Sequence, residues 1–128
     1  MFNTGTRVHE VVTLRACDVH LEMHPHVRLF GKGRKERLCP LWPQTADLLR
    51  AFLAERGRDP LSQEPVFPNH RGARLTRFGV RYILRKYCTR AQTATPILAA
   101  KRLHPHGMRH STVVHLLRSG VDMSTISQ

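Results

Sequence analysis

Apolar residues recur at helical spacing at Val8, Val11 and Val12, and Gly5 ahead of them can open a turn. A short helix is predicted over Arg7–Leu14, with Arg7 and Glu10 sharing a face. From Val27 to Phe30 the chain favours strand, Gly31 and Gly33 interrupt it, and Arg37 to Leu41 resumes before Pro43. That pattern predicts a hairpin with a basic, glycine-loosened tip. Pro43, followed by Ala46, Leu49, Phe52 and Leu53 on one side, describes an amphipathic helix that scaffolds the core and closes at Gly57. Asp59–Ser62 reads as loop, Pro65–Pro68 as a short apolar piece, and Asn69–Arg74 as a turn containing Gly72. Thr76 can cap the next helix, where Val80, Ile83, Leu84 and Tyr87 form a packing face beside a stripe of Arg77, Arg81 and Arg85. The stretch Ala91–Lys101, with Pro96 inside it, reads as loop or short turn. A last helix starts near Pro105, runs through Met108, Val113, Leu116 and Leu117, and ends at Gly120, after which Val121–Gln128 begins an element left unfinished. No repeat, low-complexity tract or linker divides the chain. The expected fold class is α+β, mainly α-helical with a small antiparallel β-sheet, in one domain over 1–128.

Composition adds a partner class. With 41% hydrophobic and 23% charged residues the 128-residue chain has an ordinary globular make-up. Yet 21 Lys and Arg stand against 9 Asp and Glu, giving a formal charge of +12 and a pI near 11.2. A basic domain of this kind calls for a polyanion, and nucleic acid leads, because binding releases the counterions condensed on phosphates. A membrane-surface protein would instead show one long basic amphipathic helix, so no membrane partner is expected; the plainer alternative is a charge that serves only solubility. Cys17, Cys39 and Cys88 are odd in number and outside any Cys-x-x-Cys spacing. They fit a reducing cytoplasm better than a disulfide framework. Neither a signal peptide nor a run of transmembrane length is seen.

Three strings could carry chemistry. His104-Pro-His-Gly-Met-Arg-His110 sets His106 and Arg109 three apart at a helix start, so both point the same way toward one anion, with the helix N-terminus contributing N–H groups; alone, it is equally a solvated helix end. Thr4-Gly-Thr-Arg-Val-His-Glu places Arg7 after a turn, with Glu10 able to hold the guanidinium; alone, it is a surface salt bridge. Gly31-Lys-Gly-Arg-Lys-Glu-Arg37 puts Lys32, Arg34 and Lys35 where glycines let backbone approach a duplex; most basic turns are no more than that.

Taken together, Thr-Gly-x-Arg-x-x-Glu, Gly-Lys-Gly-x-Lys-Glu-Arg and Pro-His-x-x-Arg-His stand in the order and approximate spacing of tyrosine recombinases. Val66-Phe-Pro-Asn, Leu75-Thr and Leu116-Leu-x-x-Gly120 extend the likeness over essentially the whole chain. The chain thus resembles part of an integrase-like catalytic domain of the phage-integrase family. The resemblance implies site-specific DNA recombination or integration by transesterification, in which cations surround a phosphodiester while a tyrosine attacks it. Arg7 and Arg109 would bind the non-bridging oxygens, Lys32 would protonate the 5′ leaving oxygen, and His106 would assist proton transfer, supported by Glu10 and His110. Arg34, Lys35, Arg77, Arg81 and Arg85 would bind DNA. No metal or other cofactor is required, because these side chains neutralise the charge. Full-length recombinases assemble as oligomers on DNA.

The family's Leu-Gly-His (or Trp) motif and nucleophilic tyrosine would follow Gln128, and helices ahead of Arg7 are missing. The expectation is therefore a partial domain without stand-alone cleavage. Tyr82 and Tyr87 lie on the helix before the histidine motif, and neither is expected to replace the nucleophile. Two other readings compete. One is a non-catalytic helix-turn-helix-like regulator using the Arg77–Arg85 stripe; substitution of Arg7 or Lys32 would leave its specific binding intact. The other is a zinc domain built on Cys17, His20, His24 and His26, whose spacing matches no familiar finger. Target site, type of mobile element and oligomeric state are not encoded in these motifs.

Overall fold

The computed structural model describes residues 1–31, 33, 35–57, 59–95, 97 and 104–122. Lys32, Arg34, much of the Ala91–Lys101 stretch and the end of Val121–Gln128 lie outside them. The chain divides into two compact units, His9–Leu75 and a second made of Met1–Val8 with Thr76–Gln128.

In the first unit, α1 (Val8–Thr13) is followed by a 3-10 turn (Ala16–Asp18) and a three-stranded antiparallel sheet in the order β1 (Val19–His20), β2 (His26–Phe30), β3 (Glu36–Pro40). The hairpin register pairs Val27 with Cys39 and Leu29 with Arg37. Strand alternation turns Val27 and Leu29 inward, where they meet Leu14, Val19, Leu41, Ala46 and Val66 in one apolar core. α2 (Pro43–Glu55) has Pro43 in its first turn and packs Leu49, Phe52 and Leu53 onto that core. Gly57, at φ +57°, ends it in the left-handed region, as the sequence predicts. Residues 62–66 run beside 14–17 through Val66 N–H to the Leu14 carbonyl (2.9 Å) and Ala16 N–H to the Glu64 carbonyl (3.0 Å). The Asn69 side chain accepts from Arg71 and Ala73 N–H, closing the expected turn.

In the second unit, α3 (Arg77–Ala94) is capped by Thr76, whose hydroxyl accepts from Gly79 N–H at 3.1 Å. Two expectations are corrected here. The helix continues through Ala94, where a loop is predicted from Ala91; residues 91–94 carry no breaker, and Pro96 lies beyond them. The predicted packing face is also largely open: Val80 is buried, but Ile83 is 40% and Tyr87 60% exposed. A stripe on an 18-residue helix needs cover along its whole length, and within this unit α4 (Pro105–Arg118) is the one other described helix.

Candidate active site

α4 begins at His104, whose extended backbone and ring form the N-cap: Nδ1 accepts from Gly107 N–H at 3.0 Å. Pro105 occupies the first turn, where its missing N–H costs nothing. One N–H that the sequence leaves open to an anion is therefore taken by the cap. The His104 and His106 rings lie parallel with centroids 6.3 Å apart. His106 and His110 are exposed and Arg109 is partly buried.

His106, Arg109 and Thr112 follow one another at three-residue spacing, so they share a stripe of α4. The Arg109 guanidinium donates through Nη1 to the Gly5 carbonyl, and the Thr112 hydroxyl donates to the Phe2 carbonyl at 2.5 Å. Phe2 and His115 add a tilted ring contact at 6.0 Å. Gly5 suits that turn, because its φ of +58° lies in the left-handed region that disfavours a side chain. The α4 stripe thus grips the turn that leads into Arg7, two residues beyond Gly5. Arg7 is exposed, one residue ahead of the first turn of α1 rather than within it. Two arginines 102 positions apart in sequence are drawn to one short segment of backbone within a single unit.

Glu10 is buried in the other unit, where it receives Arg37 in a two-pronged bond, Nη1–Oε1 at 2.8 Å and Nη2–Oε2 at 2.9 Å. The bond holds Arg37 above its ordinary pKa, hydrogen bonding outweighing desolvation. Arg37 is absent from the candidate residues read from sequence, and its signal appears only in the strand register. Its pairing with buried Leu29 puts it on the core side of β3, where an arginine demands a carboxylate.

Arg77, Arg81 and Arg85 are all exposed on α3 at four-residue spacing, forming the expected cationic stripe. Phe78 and Tyr82 stand exposed beside it, and Arg77 lies over the Phe78 ring at 4.8 Å. Lys35, also exposed, closes the hairpin tip by accepting from Gly31 N–H at 2.8 Å. The zinc alternative gains nothing: His20 and His26 stack at 4.7 Å, but among the described residues no three His, Cys, Asp or Glu side chains gather as a metal site. An open groove of about 790 Å³ beside β1 is lined mainly by apolar groups such as Leu21, Leu53 and Leu61, and Arg7, His106 and Arg109 are not among its walls. No described helix is long and apolar enough to cross a membrane.

Comparison with known proteins agrees with the three motifs. The model of the phage integrase family matches residues 1–128. The tyrosine recombinase XerD of Halalkalibacterium halodurans is 36% identical over 132 residues, covering all of this chain and 42% of that protein. Among solved structures, the XerA recombinase superposes with a TM-score of 0.83 at 26% identity, over 98% of this chain and 44% of its own. The XerH site-specific recombinase bound to difH substrate, a pre-cleavage complex, gives 0.71 at 27% identity, over 98% of this chain and 35% of its own. The chain therefore spans about two fifths of the length of the relatives it matches.

Proposed function

Because the chain belongs to the phage integrase family, we propose that it supplies the phosphate-binding part of a DNA strand transferase, acting on duplex DNA in site-specific recombination. Arg7 and Arg109 donate to the non-bridging oxygens of the scissile phosphate, whose negative charge grows as the nucleophile adds; the planar guanidinium suits that task. A tyrosine hydroxyl, not assigned to this chain, gives up its proton to His106 or solvent and attacks phosphorus; the phosphotyrosyl bond forms as the bond to the 5′ oxygen breaks, and Lys32 delivers a proton to that oxygen. His106, one helical turn before Arg109, assists proton transfer or orients the phosphate, with Glu10 and His110 in support. Arg34, Lys35 and the Arg77–Arg81–Arg85 stripe hold the flanking backbone, with Phe78 and Tyr82 offering apolar contact beside it. The setting is the cytoplasm.

The observation that carries this assignment is the Arg109 bond to the Gly5 carbonyl, which brings the histidine-arginine helix onto the segment leading to Arg7. The complex of XerH with difH supports the DNA partner. The test is fluorescence anisotropy with a labelled duplex at increasing salt. The expected result is log K falling linearly against log salt, at about −0.9 per neutralised phosphate, with Arg81→Ala reducing the slope by about that amount. Arg7→Ala and Arg109→Ala weaken binding as well, whereas a helix-turn-helix regulator would leave Arg7→Ala unaffected. Binding that ignores salt, or none at low salt, overturns the proposal.

A further inference from the structure

Along α4 only Thr112 is buried, at 3% exposure, and its side chain is polar. A helical hydroxyl is ordinarily satisfied by a carbonyl one turn back, as Ser111 is by Gly107 at 2.9 Å and Ser119 by His115 at 3.0 Å. Thr112 has the same choice in Met108, also at 3.0 Å, but its single proton faces a closer acceptor, the Phe2 carbonyl at 2.5 Å. The bond to Phe2 is therefore not needed to satisfy the hydroxyl. What it adds is a tether between α4 and the segment that leads into Arg7.

The four residues between that tether and Arg7 have little freedom. The Thr4 and Thr6 hydroxyls bond each other at 2.6 Å, Gly5 holds φ +58° with its carbonyl on Arg109, and Thr6 is 3% exposed. One anchor lets a segment swing about it, whereas two fix its direction. Clipped at both Phe2 and Gly5, the segment passes a defined placement to the next residues along the backbone. Without the clip at Phe2, the Arg109 guanidinium would hold the segment alone while also serving the phosphate. We infer that Thr112 is a positioning residue, which through Phe2 aims Arg7 at the phosphate that Arg109 binds. The inference rests on the strand-transfer reading above and deepens it. Thr112 itself touches no substrate, and all the parts of this device lie in one compact unit, Met1–Val8 with Thr76–Gln128.

The test is a double-mutant cycle on the 128-residue chain, read as affinity for a labelled duplex by fluorescence anisotropy at low salt. Thr112→Val keeps the shape and burial of the side chain but cannot donate; Thr112→Ser keeps the hydroxyl. Thr112→Val is expected to weaken binding about tenfold, the worth of one hydrogen bond to a charged group, and Thr112→Ser to restore it to within about twofold of the wild type. In an Arg7→Ala background, Thr112→Val should change affinity by less than about twofold, because the side chain it aims is gone. A merely structural threonine would lower the melting temperature and affect binding alike in both backgrounds, and that result overturns the inference. A serine variant that binds as poorly as the valine variant also overturns it. Should Thr112→Val not fold, Thr112→Ala takes its place in the same cycle; failure of both to fold overturns the inference, because the hydroxyl is then part of the fold itself. If the wild type binds no duplex, or Arg7→Ala binds as the wild type does, the strand-transfer reading and this inference fall together. If Arg7→Ala weakens binding and Thr112→Val does not, this inference alone is lost.

Discussion

Asp18 is 1% exposed, yet two guanidinium groups keep it ionised. Burial pushes its carboxyl upward, but hydrogen bonds from Arg15 (2.7 and 3.0 Å) and Arg28 (3.1 Å) outweigh that and hold it below its ordinary value. A carboxylate depressed in the folded state contributes stability above the unfolded pKa, about 3.9 for Asp. That contribution is lost as pH falls through the lower folded value. Urea midpoints measured against pH should therefore be insensitive to this group from neutrality to about 4, then fall. Asp18→Asn should remove that acid decline and cost about 2 kcal/mol at neutral pH, less than a fully buried pair because Arg15 and Arg28 are 31% and 35% exposed and keep some water. An asparagine variant as stable as the wild type would show that the cluster contributes nothing. Neither this cluster nor the partner of Glu10 was legible in the chain, for the same reason. Around Arg37 the local string reads Glu-Arg-Leu-Cys-Pro, and apolar Leu38 looks like the inward residue; the register turns Leu38 out, 60% exposed, and Arg37 in, because a carboxylate 27 positions away waits there. The strings proposed to carry the chemistry were legible because each is local.

Most elements have local causes, and those were readable: Pro43 opens α2, Thr76 caps α3 and Pro105 opens α4. β1 was not, since two residues are too few to show a period. Nor was the openness of the α3 face, because periodicity tells which residues share a side and not whether anything covers it. The cap of α4 is the element on which the candidate site most depends, since His106 and Arg109 lie in its first two turns. His104 acts there as an acceptor through Nδ1, a role that an asparagine can take over and an alanine cannot. His104→Ala is expected to destabilise the α4 start by about 1 kcal/mol and His104→Asn by much less. Amide exchange at Gly107 is the direct measurement: it should quicken in the alanine variant and stay close to the wild type in the asparagine variant. Equal exchange in all three would mean that the imidazole does not cap the helix.

The apolar core named above, from Leu14 to Val66, lies wholly within residues 9–75, while the other unit buries Val80, Thr6 and Thr112 and leaves Phe78, Tyr82 and Tyr87 exposed. Opening free energy follows buried apolar contact, so the two units should differ in how readily their amides exchange. In hydrogen–deuterium exchange, β2, β3 and α2 should be the slowest segments, and α3 and α4 should exchange faster. Most of the proposed DNA contacts fall on the less buried unit, through Arg77, Arg81, Arg85, Arg109 and His106, with Lys32, Arg34 and Lys35 belonging to residues 9–75, and a ligand that binds only the folded form stabilises it by RT ln(1 + [L]/Kd). Duplex DNA at about 100 times its Kd should therefore slow exchange in α3 and α4 by up to about 100-fold, wherever their amides exchange through opening of the binding-competent fold. Core strands that open by separate fluctuations should change far less, and raising the salt should remove the effect together with binding. If DNA slowed the sheet and left α3 and α4 untouched, the contact surface would lie in the other unit and the arginine stripe would be a solubilising face. Protection confined to α3, with none at the start of α4, would leave a DNA-binding helix but no phosphate site at His106 and Arg109.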